Sequence, residues 1–142
     1  MIIGDDTELV DAACWFATAL GIADLDFELN ILMYEKGDAN PGSGWIEYAD
    51  RDADIYLSYD LTDRECILEI LAHEMVHLKQ YLLGELKDVP GFNLAVWNGE
   101  VWPTSNDPRS RVYWESPWEV EAFGRSHGLE YLYKAHLEKK NG

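Results

Sequence analysis

Between Ile67 and Leu83 the chain runs almost unbroken through apolar residues, yet His73, Glu74 and His77 lie in the middle of that run. A run this long exceeds an ordinary strand and reads as a helix. Its ends are punctuated as helix ends should be. Thr62-Asp63-Arg64-Glu65 has the form of a capping box, in which the Thr62 hydroxyl and the Glu65 carboxylate each accept from the other's backbone N–H. Gly84 supplies a C-terminal stop, with Lys79 in the last turns. Ile67, Leu68, Ile70, Leu71, Met75, Val76, Leu78, Leu82 and Leu83 cover nearly every side, and a helix apolar all round is buried. Two imidazoles and a carboxylate carried into such an interior are costly without partners. The fold must therefore build something polar around positions 73–77.

The three residues have the spacing H-E-x-x-H, in His73-Glu74-Met75-Val76-His77. Positions i and i+4 stand one above the other on a helix face, so both imidazoles can bind one metal ion. The Glu that follows the first His then faces the same ion and can take a proton from a water held there. The chemistry implied is hydrolysis, most often of a peptide bond. Histidines on helices are commonly structural, but the chain has only four and two of them fall in this pattern. Cys66, seven residues before His73, reads as core packing, with a nearby thiol as the alternative.

Composition excludes several function classes. With 11 basic and 27 acidic residues among 142, the formal charge is −16. No basic block exists to meet phosphates, so neither nucleic acid nor an anionic membrane is an expected partner. The length suits one domain, expected to span residues 1–142, with 47% hydrophobic residues to form its core. Cys14 and Cys66 both fall in apolar helical segments and are expected to be reduced. The N-terminus lacks the basic and apolar stretches of a signal peptide, and no run has membrane-spanning length. The default location is cytoplasmic.

From end to end the pattern is α+β. A first helix is expected over about Asp5 to Leu20, with Val10, Ala13, Cys14, Ala17 and Leu20 as its stripe and Gly21 as its stop. Strands are expected at Phe27–Leu32, Trp45–Ala49 and Asp54–Tyr59, with a turn over Gly37–Gly44. Together they predict a small, mostly antiparallel sheet packed on the motif helix. After Gly84 a polar turn leads to Leu94–Trp102, where Asn98-Gly99 marks a hairpin. Residues 103–110 read as a loop. A last helix starts near Pro117 and runs to about Leu137, carrying Trp118, Ala122, Phe123, Leu129, Leu132 and Tyr133, with Gly124 and Gly128 able to weaken it.

Two imidazoles leave a hydrolytic metal site one protein ligand short. The segment Pro117-Trp118-Glu119-Val120-Glu121-Ala122-Phe123 offers two carboxylates at the start of the last helix. Glu119 is preferred because Ala122, three residues on, shares its face and lets that helix come close. Glu121 is the alternative, and His127 a nitrogen alternative. As plain structure, both acids would only stabilise the helix dipole.

Residues 73–81 (HEMVHLKQY), together with the later PWEVEAF, resemble the small gluzincin-type zinc metallopeptidases encoded by phages and bacteria and often labelled SprT-like. The resemblance covers about residues 60–125. It implies a minimal zincin fold: an N-terminal helix, a small sheet, a central helix with the motif, and a C-terminal helix with the third ligand. It implies Zn2+ bound by His73, His77 and Glu119, and Glu74 as general base. It also admits a phage-encoded protein acting in a host cell. SprT proteins proper use a third His and bind DNA; the acidity of this chain and its PWEVEA segment depart from both. A donor to the developing oxyanion is expected, with Tyr113 and His127 as candidates. A peptide or protein substrate could lie along an edge strand, formed by residues 45–48 or the Trp97/Trp102 hairpin. The competing expectation is a regulatory or protein-binding module that keeps fold and zinc with little turnover; a third is a zinc-free structural domain. Oligomeric state is not legible.

Overall fold

The computed structural model describes residues 1–34, 44–58 and 63–141. Among these the chain is mixed α/β, with four helices and two small sheets. The first sheet holds β1 (Ile2–Gly4), β2 (Glu28–Tyr34), β3 (Gly44–Ala49) and β4 (Asp52–Ser58) in the order β1-β2-β4-β3. It is not mostly antiparallel, as the strand pattern led us to expect. Two of its three pairings, β1 with β2 and β2 with β4, are parallel, and only β3 with β4 is antiparallel. The cause is connectivity. Helix α1 (Thr7–Ala19) returns the chain between β1 and β2, and β4 inserts between β2 and its hairpin partner β3.

One face of this sheet is set by register. Leu29 pairs with Ala53, Ile31 with Ile55, and Ile46 with Ile55, so their side chains share the face that meets the helices. On the other face Trp45 stacks on its cross-strand partner Tyr56 with centroids 4.4 Å apart. Among the described residues β3 is an edge strand, and it lies close to α2 (Arg64–Leu82). A Cβ on Gly44 would stand 2.8 Å from Ile70 Cγ2 and 2.9 Å from the Tyr56 carbonyl oxygen, so only glycine permits that approach.

Helix α1 is capped by Asp6, which accepts from the Leu9 N–H at 3.2 Å, and it stops at Gly21, whose φ is +77°. Its core face is Leu9, Ala12, Ala13, Phe16 and Ala17; Cys14, placed on the stripe from sequence, is exposed instead. Cys14 and Cys66 are both free. The cap of α2 is Asp63, accepting from the Glu65 N–H at 3.0 Å. Thr62, the expected capping residue, lies outside the described residues, as do Tyr59 and most of the expected Gly37–Gly44 turn.

The second sheet is antiparallel: β5 (Leu86–Val89), β6 (Leu94–Trp97) and β7 (Glu100–Pro103). The stretch expected as a polar turn after Gly84 is thus partly a strand, drawn into place by Leu86, which is buried with Ala95 and Trp118. Asn98 and Gly99 join β6 to β7 with φ of +46° and +87°, as a tight hairpin turn demands. Gly99→Ala places a side chain in open space but on a disfavoured backbone. It should lower stability by about 1–2 kcal/mol, which chemical denaturation would register as a reduced midpoint at constant m; an unchanged midpoint would refute it.

A short helix α3 (Arg111–Glu115), not foreseen, precedes α4 (Pro117–Asn141). Helix α4 packs along α2, burying Ala122, Leu129 and Tyr133, while Phe123 and Leu132, expected on its buried side, are 43% and 54% exposed. Among the described residues no helix is long and apolar enough to cross a membrane.

Candidate metal centre

The site forms where the middle of α2 meets the first turn of α4. The i, i+4 spacing places the His73 and His77 rings side by side, with Nε2 atoms 3.2 Å apart. Pro117 opens α4, so Glu119 falls in its first turn, where backbone N–H groups favour a carboxylate. Trp118 is held in the small core with Leu86 and Ala95, which fixes the entry of α4 against α2. Glu119 Oε1 then lies 3.1 Å from His73 Nε2 and 3.2 Å from His77 Nε2.

Three ligand atoms of three residues thus form a nearly equilateral triangle, and these are the one group of such residues converging among those described. A four-coordinate ion with bonds of about 2.0–2.1 Å needs donor atoms about 3.3 Å apart. The triangle is close to one face of that tetrahedron. Its donor set, two imidazoles and one carboxylate, suits zinc, though imidazole also suits other transition metals. The fit therefore holds on both geometry and ligand chemistry.

Glu121 is placed elsewhere. Its Oε2 accepts from Lys79 Nζ at 2.6 Å and from Arg125 at 3.3 Å, and its Oε1 from the Gln80 amide at 2.9 Å. Burial alone would raise its pKa, but the hydrogen bonds and positive charge of these partners hold it below the ordinary carboxylate value. His127 is also remote: its side chain is 78% exposed and its Nδ1 is 3.7 Å from Glu69 Oε2. Cys66 is not part of the converging group.

Around the triangle stand three further features. Glu74, between the two histidines in sequence, is buried, and burial raises its carboxyl pKa against the lowering pull of His77 and His73. The Tyr113 phenol is pushed up to about 12 by burial and by the charges of Glu119 and Glu74. Phe123, one turn beyond Glu119, sets its ring edge-on to His73 with centroids 4.4 Å apart, and Trp114 packs against Phe123 at 5.0 Å. Trp114 is half exposed but held by its indole N–H, which donates to the Pro108 carbonyl at 2.6 Å. This aromatic wall was missed from sequence because α3, which carries Trp114, was missed. Lys79 and Gln80 were also overlooked as partners of Glu121, although two polar residues in an otherwise buried helix stretch called for them.

The charges around the triangle would make uptake of a metal pH-dependent. Burial pulls the His77 pKa down, but the Glu119 hydrogen bond and the Glu74 charge outweigh it and raise it to about 9. For Glu119 burial raises the value, and the bonds to His73 and His77 bring it down to about 2. In chelator-treated protein the raised His77 pKa means stability that is fully present below about 6.5 and lost as pH rises through about 9. The depressed Glu119 value means stability present above about 4.5 and lost as pH falls through about 2. A metal must expel the His77 proton, so apparent zinc affinity should rise about tenfold per pH unit between about 6.5 and 9. Competition against a chromophoric chelator at three pH values tests this; an affinity flat across that range contradicts it.

No protein-family model, no curated protein and no solved structure matches the chain.

Proposed function

We propose that this chain is a zinc-dependent peptidase of gluzincin type, with His73, His77 and Glu119 as metal ligands and Glu74 as general base. The observation that carries the reading is the triangle of His73 Nε2, His77 Nε2 and Glu119 Oε1, with edges of 3.1–3.2 Å, beside a buried carboxylate. Zinc in that site would supply the Lewis acidity that makes water a nucleophile near neutral pH and polarises a carbonyl.

The chain's own groups complete the chemistry. Glu74 takes the proton of the attacking water on its carboxylate and delivers it to the leaving amine. Burial suits it to this task, since it makes the protonated form easier to reach. The Tyr113 phenol, kept protonated by burial and the nearby carboxylates, is the candidate donor to the oxyanion. Strand β3, an edge among the described residues, runs beside α2, with Tyr48 stacked on Tyr81 at 4.9 Å, and an extended peptide could add along it. The wall of Phe123 and Trp114 adjoins His73 and would contact substrate side chains. The minimal zincin arrangement, a peptide or protein substrate and a cytoplasmic or host-cell setting belong to this same proposal.

The test is to incubate zinc-loaded protein with a mixed peptide library and count new termini by mass spectrometry. Cleavage should stop on chelation and return on adding zinc. Cleavage that survives chelation overturns the metal mechanism. Zinc binding without any cleavage favours the regulatory or protein-binding module.

A further inference from the structure

The Gln80 side chain is wholly buried in the heart of the molecule, three residues after His77 and on the same side of α2. A primary amide has two donors and one acceptor oxygen, and burial requires that they be used. Gln80 Nε2 donates to the Trp118 carbonyl oxygen at 3.0 Å and to Glu121 Oε1 at 2.9 Å. Both partners are acceptors only. Turning the amide over would set its oxygen against two oxygens, so the network admits one orientation. In that orientation Gln80 Oε1 faces His77 Nδ1 at 2.8 Å. An acceptor there demands that Nδ1 carry the hydrogen, and a neutral imidazole with hydrogen on Nδ1 leaves its lone pair on Nε2. That is the nitrogen that meets His73 and Glu119.

We infer that Gln80 is a positioning residue: anchored on α4 by Trp118 and Glu121, it locks His77 in the Nδ1–H tautomer and aims Nε2 at the metal site. The inference rests on the metal-binding reading of that site and adds a residue to it. Glu121, the rejected ligand, thereby gains a different place. Its carboxylate, which also accepts from Lys79 and Arg125, is one of the two acceptors that prevent the amide from turning. Outer partners of metal-bound histidines are generally worth about 10–100-fold in metal affinity.

Two variants separate this role from simple tethering of α4. Gln80→Met keeps the side-chain length but removes both the acceptor and the donors. Gln80→Glu keeps an acceptor for His77 Nδ1–H and disturbs the tether to Trp118 and Glu121. Zinc alone is the probe, read by chelator competition and by NMR of the His77 ring. In zinc-loaded wild type, His77 should show a slowly exchanging Nδ1–H proton. Gln80→Met should lose that signal and bind zinc about 10–100-fold more weakly, while Gln80→Glu should retain the signal and more of the affinity. Equal losses in both variants, an unchanged affinity in Gln80→Met, or zinc on Nδ1 of His77 in wild type would each overturn the inference while leaving the metal site standing. A wild type that takes up no zinc would overturn both. Should neither variant fold, the wild-type ring spectrum alone decides, since absence of the protected Nδ1–H proton refutes the lock.

Discussion

Replacing Glu74 by Gln should leave zinc bound and lower kcat by about 10²–10⁴-fold, the usual worth of a positioned general base. That loss corresponds to about 3–5 kcal/mol of activation free energy. The substitution is nearly isosteric in a residue only 6% exposed, so packing against α2's neighbours is kept. What changes is proton affinity: an amide cannot take the proton of water and hand it to an amine. The Glu74 carboxyl is not a member of the ligand triangle, so zinc affinity should stay within about threefold, and removing a buried carboxylate should not cost stability. Activity retained in a zinc-loaded Glu74→Gln protein would remove the proposed mechanism, because Glu119, the one carboxylate of the described cluster, is assigned to the metal.

The second large effect separates the two acidic residues of α4. Glu119→Ala should weaken zinc binding by more than about a hundredfold, beyond the usual effect of losing an outer partner. Glu121→Ala should cost at most about tenfold in affinity, since the Trp118 carbonyl still orients Gln80. Glu121→Ala should instead cost stability through Lys79. Lys79 is a buried cation paired with Glu85 at 2.8 Å and Glu121 at 2.6 Å. Taking Glu121 away leaves a buried charge half paired, at a cost of about 1–3 kcal/mol. Chelator competition and thermal unfolding of the two variants measure both quantities. If Glu121→Ala lost zinc and Glu119→Ala kept it, the ligand assignment would be reversed.

The motif was readable because it is local. The i, i+4 spacing of His73 and His77 puts both rings on one face whatever else the chain does, and the apolar run around them shows that the face is inside. The choice between Glu119 and Glu121 depends on the rotation of α4 against α2, which no local pattern contains. The useful clue was on the other helix: Lys79 and Gln80 inside a buried stretch required acceptors, and Glu121 meets both. Strand β1, three residues long, is too short to show alternation, and the parallel pairing of β2 with β4 joins segments separated by β3. A hairpin such as Asn98-Gly99 announces itself through turn chemistry. Placement of β4 beside β2, with β3 on its far side, leaves no such trace, and this is why a mostly antiparallel sheet was expected. Strand β5 was hidden for another reason: its Leu86 is buried against Trp118, a contact between distant parts of the chain.

The most direct test of the central claim is anomalous diffraction at the zinc absorption edge, from crystals grown with zinc. The account predicts one strong peak per chain, within bonding distance of His73 Nε2, His77 Nε2 and Glu119. A peak placed elsewhere, or none where those three side chains meet, would contradict it.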